Sequence, residues 1–261
     1  MLLERLEALA HASAESYTGT QMVRCACVIA MLSLSNAAYA QESATVECTT
    51  TLAALFPAEE AKSLATTIDP DKPLRYRARL PKNSAQSGVL VFVKPVDSGE
   101  LPENWAAVLD RQNLIWIAAD DFGNEHPRAQ RILAAIAGLK LIESTTTIDA
   151  KRVYVAGMSG GGRIASQIIT RFPRRFSGAM YIVGADFWTE AEEPLRPRIA
   201  ANRYVFVTGN RDFNHRDMRR VFSKYQAAGV TQVLFMDLPA FGHEYLNAQQ
   251  LEQAIDFLDA R

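Results

Sequence analysis

The chain has 261 residues, of which 48% are hydrophobic and 22% charged, and a formal net charge of −1. That length and apolar content suit one large α/β domain or two small ones, with enough apolar residues for a substantial core. The near-neutral balance offers no electrostatic footprint for nucleic acid or an acidic surface.

The first predicted feature is a secretory signal over Met22 to Ala40. Arg24 is its positive end, Cys25 to Leu34 its apolar stretch, and Ala38-Tyr39-Ala40 a small-x-small cleavage site before Gln41. A membrane anchor would need a longer run, and Ser33, Ser35 and Asn36 interrupt this one. Residues 1–21 are polar and precede the charged end, so translation is expected to begin at Met22. Domain organisation is then an extension plus signal over 1–40 and one domain over 41–261. Cleavage removes Cys25 and Cys27 and leaves Cys48, which cannot then form an internal disulfide. Cys48 reads as a partly buried thiol.

In the body of the chain, Ala58 to Thr66 reads as a short helix before the turn Asp69-Pro70-Asp71. Leu74 to Leu80 alternates like an exposed edge strand, and Val89 to Val93 reads as a strand covered on both faces. Pro102 to Arg111 is a predicted helix, Leu114 to Ala119 a buried strand, and Arg128 to Ile142 an amphipathic helix. Arg152 to Ala156 is a further strand, and Arg163 to Phe172 a helix that Pro173 ends. Then come strands over Ala179 to Val183, Tyr204 to Thr208 and Gln232 to Asp237, with helices over Arg216 to Ala228 and Ala248 to Leu258. Strands alternating with helices predict a mostly parallel sheet flanked by helices. About 20 residues separate the Ala179 and Tyr204 strands, which leaves room for one short helix and no lid domain.

Between the Arg152 strand and the Arg163 helix lies Gly157-Met158-Ser159-Gly160-Gly161. A strand, a tight turn and a helix with serine at the apex lift the hydroxyl above the sheet. The N–H groups of the helix start then face the same space. Gly-x-Ser-x-Gly alone is a weak signal, and the strand-turn-helix context strengthens it. A serine hydroxyl becomes a nucleophile when a base takes its proton and a carboxylate orients that base. Asp212 and His243 each follow a predicted strand, so both belong at the carboxyl edge with Ser159. Asp217 and Asp186 are substitute acids, and Asp212 has an alternative role as a helix N-cap. His126 and His215 read as solvated or loop residues.

RVYVAGMSGGG, TGNRDFN and PAFGHEY together resemble the secreted esterase branch of the α/β-hydrolase family, which includes polyhydroxybutyrate-depolymerase-like and feruloyl-esterase-like proteins. The resemblance covers roughly Leu74 to Leu258. It implies an α/β-hydrolase fold and a secreted or periplasmic serine esterase acting on a small or polymeric ester without a cofactor or metal. It further implies Ser159 as nucleophile, His243 as general base, Asp212 as its orienting acid and Gly160 N–H as an oxyanion donor. Phe187, Trp188 and Phe241 are candidates for the substrate pocket. Ordinary core packing is the competing expectation for each. No membrane contact is expected after signal cleavage, and the oligomeric state is open.

One departure stands out. The family commonly carries a His-Gly pair after its third strand, where this chain has Lys94-Pro95-Val96. Proline has no N–H to donate, which leaves Val96 N–H as the second oxyanion donor on a stiffer loop. Two other readings stay open. One is a weak or inactive hydrolase fold that binds a ligand. The other is a dinucleotide site at Gly157 to Gly162, with Asp186 about 25 residues further on.

Overall fold

The computed structural model describes residues 43–260 apart from 83, 85 and 190–192. The expected signal and its cleavage site lie outside the described residues. Among those residues the strands form one eight-stranded sheet: β1 (Ala44–Thr50), β2 (Leu74–Leu80), β3 (Ser87–Val93), β4 (Leu114–Ala119), β5 (Ile148–Met158), β6 (Gly178–Ile182), β7 (Arg203–Gly209) and β8 (Val233–Leu238). Their spatial order is β1-β2-β4-β3-β5-β6-β7-β8. The β1–β2 and β2–β4 pairs are antiparallel and all later pairs are parallel.

The helices are α1 (Leu52–Leu55), α2 (Ala58–Leu64), α3 (Ala106–Arg111), α4 (Arg128–Thr145), α5 (Gly160–Arg171), α6 (Arg196–Ala201), α7 (His215–Ala227) and α8 (Ala248–Asp259). Successive strand residues point to opposite faces, so the sheet divides the core in two. Val89, Val91 and Val93 meet Ile132, Ile164, Ile168 and Tyr225 of α4, α5 and α7 on one face. Leu90 and Phe92 meet Trp105, Val108, Leu251 and Ile255 around α3 and α8 on the other. The Trp105 indole packs edge-on to Phe92 at 5.2 Å and donates its buried N–H to the Leu246 carbonyl at 2.8 Å. A buried indole can fill a core without penalty only when its N–H finds such a partner. α8 begins with a capping box between Asn247 and Gln250.

Leu74–Leu80 is not the edge strand its alternation suggested. It lies between β1 and β4, and β1, which the sequence pattern did not reveal, is the edge. The alternation arises because one face is wet. Leu74, Tyr76 and Ala78 are buried, whereas Arg75 pairs with Asp121, Arg77 with Glu47 and Asp120, and Arg79 with Asp110. Arginines on a half-covered face of a central strand give the same pattern as an edge. Helix α3 begins at Ala106 rather than Pro102, because Trp105 N–H closes a turn onto the Pro102 carbonyl. Strand β5 and helix α4 both run longer than expected. Among the described residues, the short helix α6 lies in the connection between β6 and β7, with a 3-10 turn over Glu193–Leu195 before it.

Candidate functional site

Parallel strands β5, β7 and β8 bring their carboxyl ends to one edge, and the three predicted residues stand there. Ser159 sits between β5 and α5 with φ 55° and ψ −122°. Few non-glycine residues adopt positive φ, and the strain is held because both sides of the turn are packed. Ser159 N–H donates to the Ile182 carbonyl at 2.8 Å, which ties the apex to β6. The small neighbours are required by contact. A Cβ on Gly161 would overlap the Val93 carbonyl oxygen, and one on Gly157 would overlap the Gly161 backbone. The Ser159 hydroxyl makes no capping bond to the helix it opens, so its proton and lone pairs remain available.

His243 Nδ1 lies 2.8 Å from Asp212 Oδ1. The Asp212 carboxylate is fully buried, while 28% of the His243 side chain is exposed. Thr208 Oγ1 donates to the other carboxylate oxygen at 3.2 Å. A buried carboxylate needs such partners to offset its lost hydration. With Nδ1–H donated to Asp212, His243 presents Nε2 as its free lone pair.

Contacts between the two loops position this pair. Arg211 N–H donates to the Phe241 carbonyl at 3.2 Å, and Ala240 N–H to Asn210 Oδ1 at 3.0 Å. The substitute acids are engaged elsewhere. Asp186 binds Arg163 and Gln167, and Asp217 binds Arg163 and Arg220. Burial alone would push the Asp217 carboxyl up, but its Arg220 and Arg163 partners outweigh that and hold it below the usual range. His215 faces Asp237 at 2.9 Å and His126 faces Asp97 at 3.3 Å.

On the opposite side, the loop after β3 is firmly held. Lys94 O accepts from the Arg131 guanidinium at 3.0 Å, and Pro95 O accepts from Asn124 N–H at 2.9 Å. Lys94 Nζ donates to the Glu100 carbonyl at 2.6 Å, and burial lowers its pKa. The Arg131 guanidinium is held down to about 10, by burial first and by nearby Arg128 second. Val96 follows, about half exposed, and Gly160 opens α5.

The pocket candidates occupy packed positions. Phe187 and Trp188 lie against Tyr225 at 5.8 and 6.1 Å, and Phe241 is buried beside Gly209. Sequence reasoning missed Thr208 and Phe213. The Phe213 ring stacks on His243 with centroids 4.3 Å apart. Its place directly after Asp212 was the only available signal. Among the described residues, no cluster of three or more His, Cys, Asp or Glu could hold a metal ion.

No family model matches the chain, and no curated protein matches it. Solved structures do match. A ferulic acid esterase is 17% identical with a TM-score of 0.61, over 83% of this chain and 98% of that one. An S-formylglutathione hydrolase from Staphylococcus aureus is 14% identical with a TM-score of 0.57, over 83% of this chain and 95% of that one. A Bacteroides ovatus protein named for dipeptidyl aminopeptidase IV is 14% identical with a TM-score of 0.56. This chain matches it over 83% of its own length but spans only 36% of that protein. The chain therefore has the α/β-hydrolase fold. Likeness at these identities carries the architecture, and function has to be argued from the site.

Proposed function

We propose that this α/β-hydrolase chain cleaves carboxylic esters through an acyl-enzyme on Ser159. The observation that carries the reading is the buried Asp212 carboxylate bound to His243 Nδ1 at 2.8 Å, at the sheet edge where Ser159 is held in a strained turn. In the first step His243 Nε2 takes the Ser159 hydroxyl proton as Oγ forms a bond to the substrate carbonyl carbon. The carbonyl π pair moves onto oxygen, where Gly160 N–H and Val96 N–H are the proposed donors. The oxyanion then re-forms the carbonyl, and the alcohol leaves with the proton from His243. Water repeats the sequence on the acyl-enzyme and releases the acid. Asp212 stays ionised throughout and stabilises the imidazolium.

Among the described residues, Ser159 Oγ and His243 share no hydrogen bond. Such bonds are often long without substrate and tighten in the complex. The same feature favours the second reading, a fold that binds an ester-like ligand and turns it over weakly. A panel of p-nitrophenyl and feruloyl esters against the chain and Ser159→Ala separates the two. Turnover by the wild type that Ser159→Ala loses supports the enzyme, and binding without turnover supports the second reading. The ferulic acid esterase likeness is the reason to include feruloyl esters.

Export is part of the same proposal. It rests on Arg24, the apolar run to Leu34 and Ala38-Tyr39-Ala40. N-terminal sequencing of the exported protein should begin at Gln41, and an uncleaved protein in the membrane fraction would refute it.

A further inference from the structure

Asn124 lies in the loop after β4, and it touches both walls of the proposed oxyanion hole. Its backbone N–H donates to the Pro95 carbonyl at 2.9 Å. Its side chain rests against Gly160: a Cβ at Gly160 would overlap Asn124 Oδ1 and come within 3.1 Å of Nδ2. Asn124 is exposed. Among the described residues its amide makes no hydrogen bond. An uncommitted amide therefore hangs over the first residue of α5, beside the N–H expected to hold the oxyanion. Pro95, on the other side, is the residue that cannot donate.

We infer that the Asn124 side-chain amide donates Nδ2–H to the developing oxyanion, beside Gly160 N–H. This rests on the proposed reaction at Ser159. The amide has two N–H donors at one end and an oxygen at the other, and rotation about its last torsion exchanges them. A neutral carbonyl oxygen asks little of it. A tetrahedral oxyanion turns the NH2 end inward, so the contact strengthens in the transition state and raises kcat. The backbone bond to Pro95 O anchors the residue before substrate arrives, which limits the ordering the reaction would otherwise require. The same packing gives Gly160 a second reason to be glycine, since a side chain there would push the amide away.

The experiment uses the whole exported chain, p-nitrophenyl butyrate, a trifluoromethyl ketone that forms a tetrahedral oxyanion adduct, and a fluorophosphonate probe. Asn124→Ala should lower kcat by about a hundredfold, the loss typical of one missing oxyanion donor. KM and the melting temperature should stay near wild type. Ketone affinity should fall in parallel with kcat/KM, which a merely structural role would not produce. Asn124→Asp keeps the shape and sets a carboxylate against the oxyanion, so it should lose at least as much. It also keeps the test valid if the alanine variant folds poorly. Retained kcat in either folded variant, or a loss confined to KM, overturns the inference. A wild type that neither turns over ester nor is labelled at Ser159 overturns the underlying reading instead, and the inference with it.

Discussion

Phe213 stacks on His243 with ring centroids 4.3 Å apart and planes 21° from parallel, although 77% of the phenylalanine is exposed. A large apolar side chain so open to solvent contributes little to the core. Its contact is local: the ring lies over one face of the imidazole. A favourable aromatic pair contributes about 0.5–1.5 kcal/mol beyond area burial. If that energy orders His243, Phe213→Ala should lower kcat about two- to tenfold. The melting temperature should change little. Equal kcat in the variant would show that the ring covers the histidine without positioning it.

Asp212 has a second partner in Thr208, so the two changes are expected to differ sharply. Asp212→Asn keeps the shape but lets the amide donate to Nδ1, which favours the imidazole tautomer with its proton on Nε2 and leaves no base facing Ser159. Loss of the correct tautomer in a serine-histidine-aspartate triad costs about ten-thousandfold in kcat, and a fall of that order is expected here. Thr208→Val removes one neutral-donor bond of 3.2 Å to the carboxylate. It should cost far less activity and lower stability by about 1–3 kcal/mol, because a buried acceptor loses a partner. Kinetics and urea melts of both variants check this. Comparable activity losses would mean that Thr208 sets the carboxylate's position.

The sequence made the carboxyl-edge positions of Ser159, Asp212 and His243 legible, because each follows an apolar run and parallel strands end on one side. It put Asp212 first through its position after a strand and the family resemblance, and kept Asp186 and Asp217 as substitutes. Setting those two aside depends on Arg163, which reaches from α5 to bind both, a contact that local pattern does not encode. β1 was lost for a related reason. Ala44–Thr50 is a short mixed run with weak periodicity, and its place is set by register, with Glu47 opposite Arg77. Asn124 carries no sequence signal of its own, since its position comes from loop-to-loop contacts, and Phe213 offers only its place after Asp212.

The Arg163 cluster predicts acid sensitivity. Burial opposes ionisation of Asp217, but its bonds to Arg220 and Arg163 outweigh burial and lower its pKa in the folded chain. A carboxylate with a depressed folded-state pKa contributes stability above its unfolded value, about 3.9, and loses it as pH falls through the folded value. Asp217→Asn should therefore melt below wild type at pH 7. The gap should close as pH falls below about 4, where wild type loses the same contribution. Thermal melts across that range decide it. A gap that persists undiminished at the acid end would assign the effect to packing rather than charge.

The loop after β3 gives the last prediction. A proline at the oxyanion loop suggests a poorly placed donor if the loop has to fold around substrate. The hydrogen bonds argue otherwise. Lys94 O and Pro95 O, two successive carbonyls, are each bound, to Arg131 and to Asn124. With both peptide units fixed, the missing N–H of Pro95 removes nothing the loop uses, and its ring limits the unfolded chain. Pro95→Gly should then lower stability by about 0.4–1 kcal/mol through the unfolded state. It should also lower kcat, because Val96 and Asn124 lose a rigid neighbour on which their placement depends. Replacing Lys94-Pro95 with His-Gly should do the same and additionally lose the Lys94 Nζ bond to Glu100 O at 2.6 Å. Steady-state kinetics on a short acyl ester and thermal melts test both. A rise in kcat with intact folding would show that the proline holds the donor away from the substrate oxygen, and that the hole is the weak part of the site.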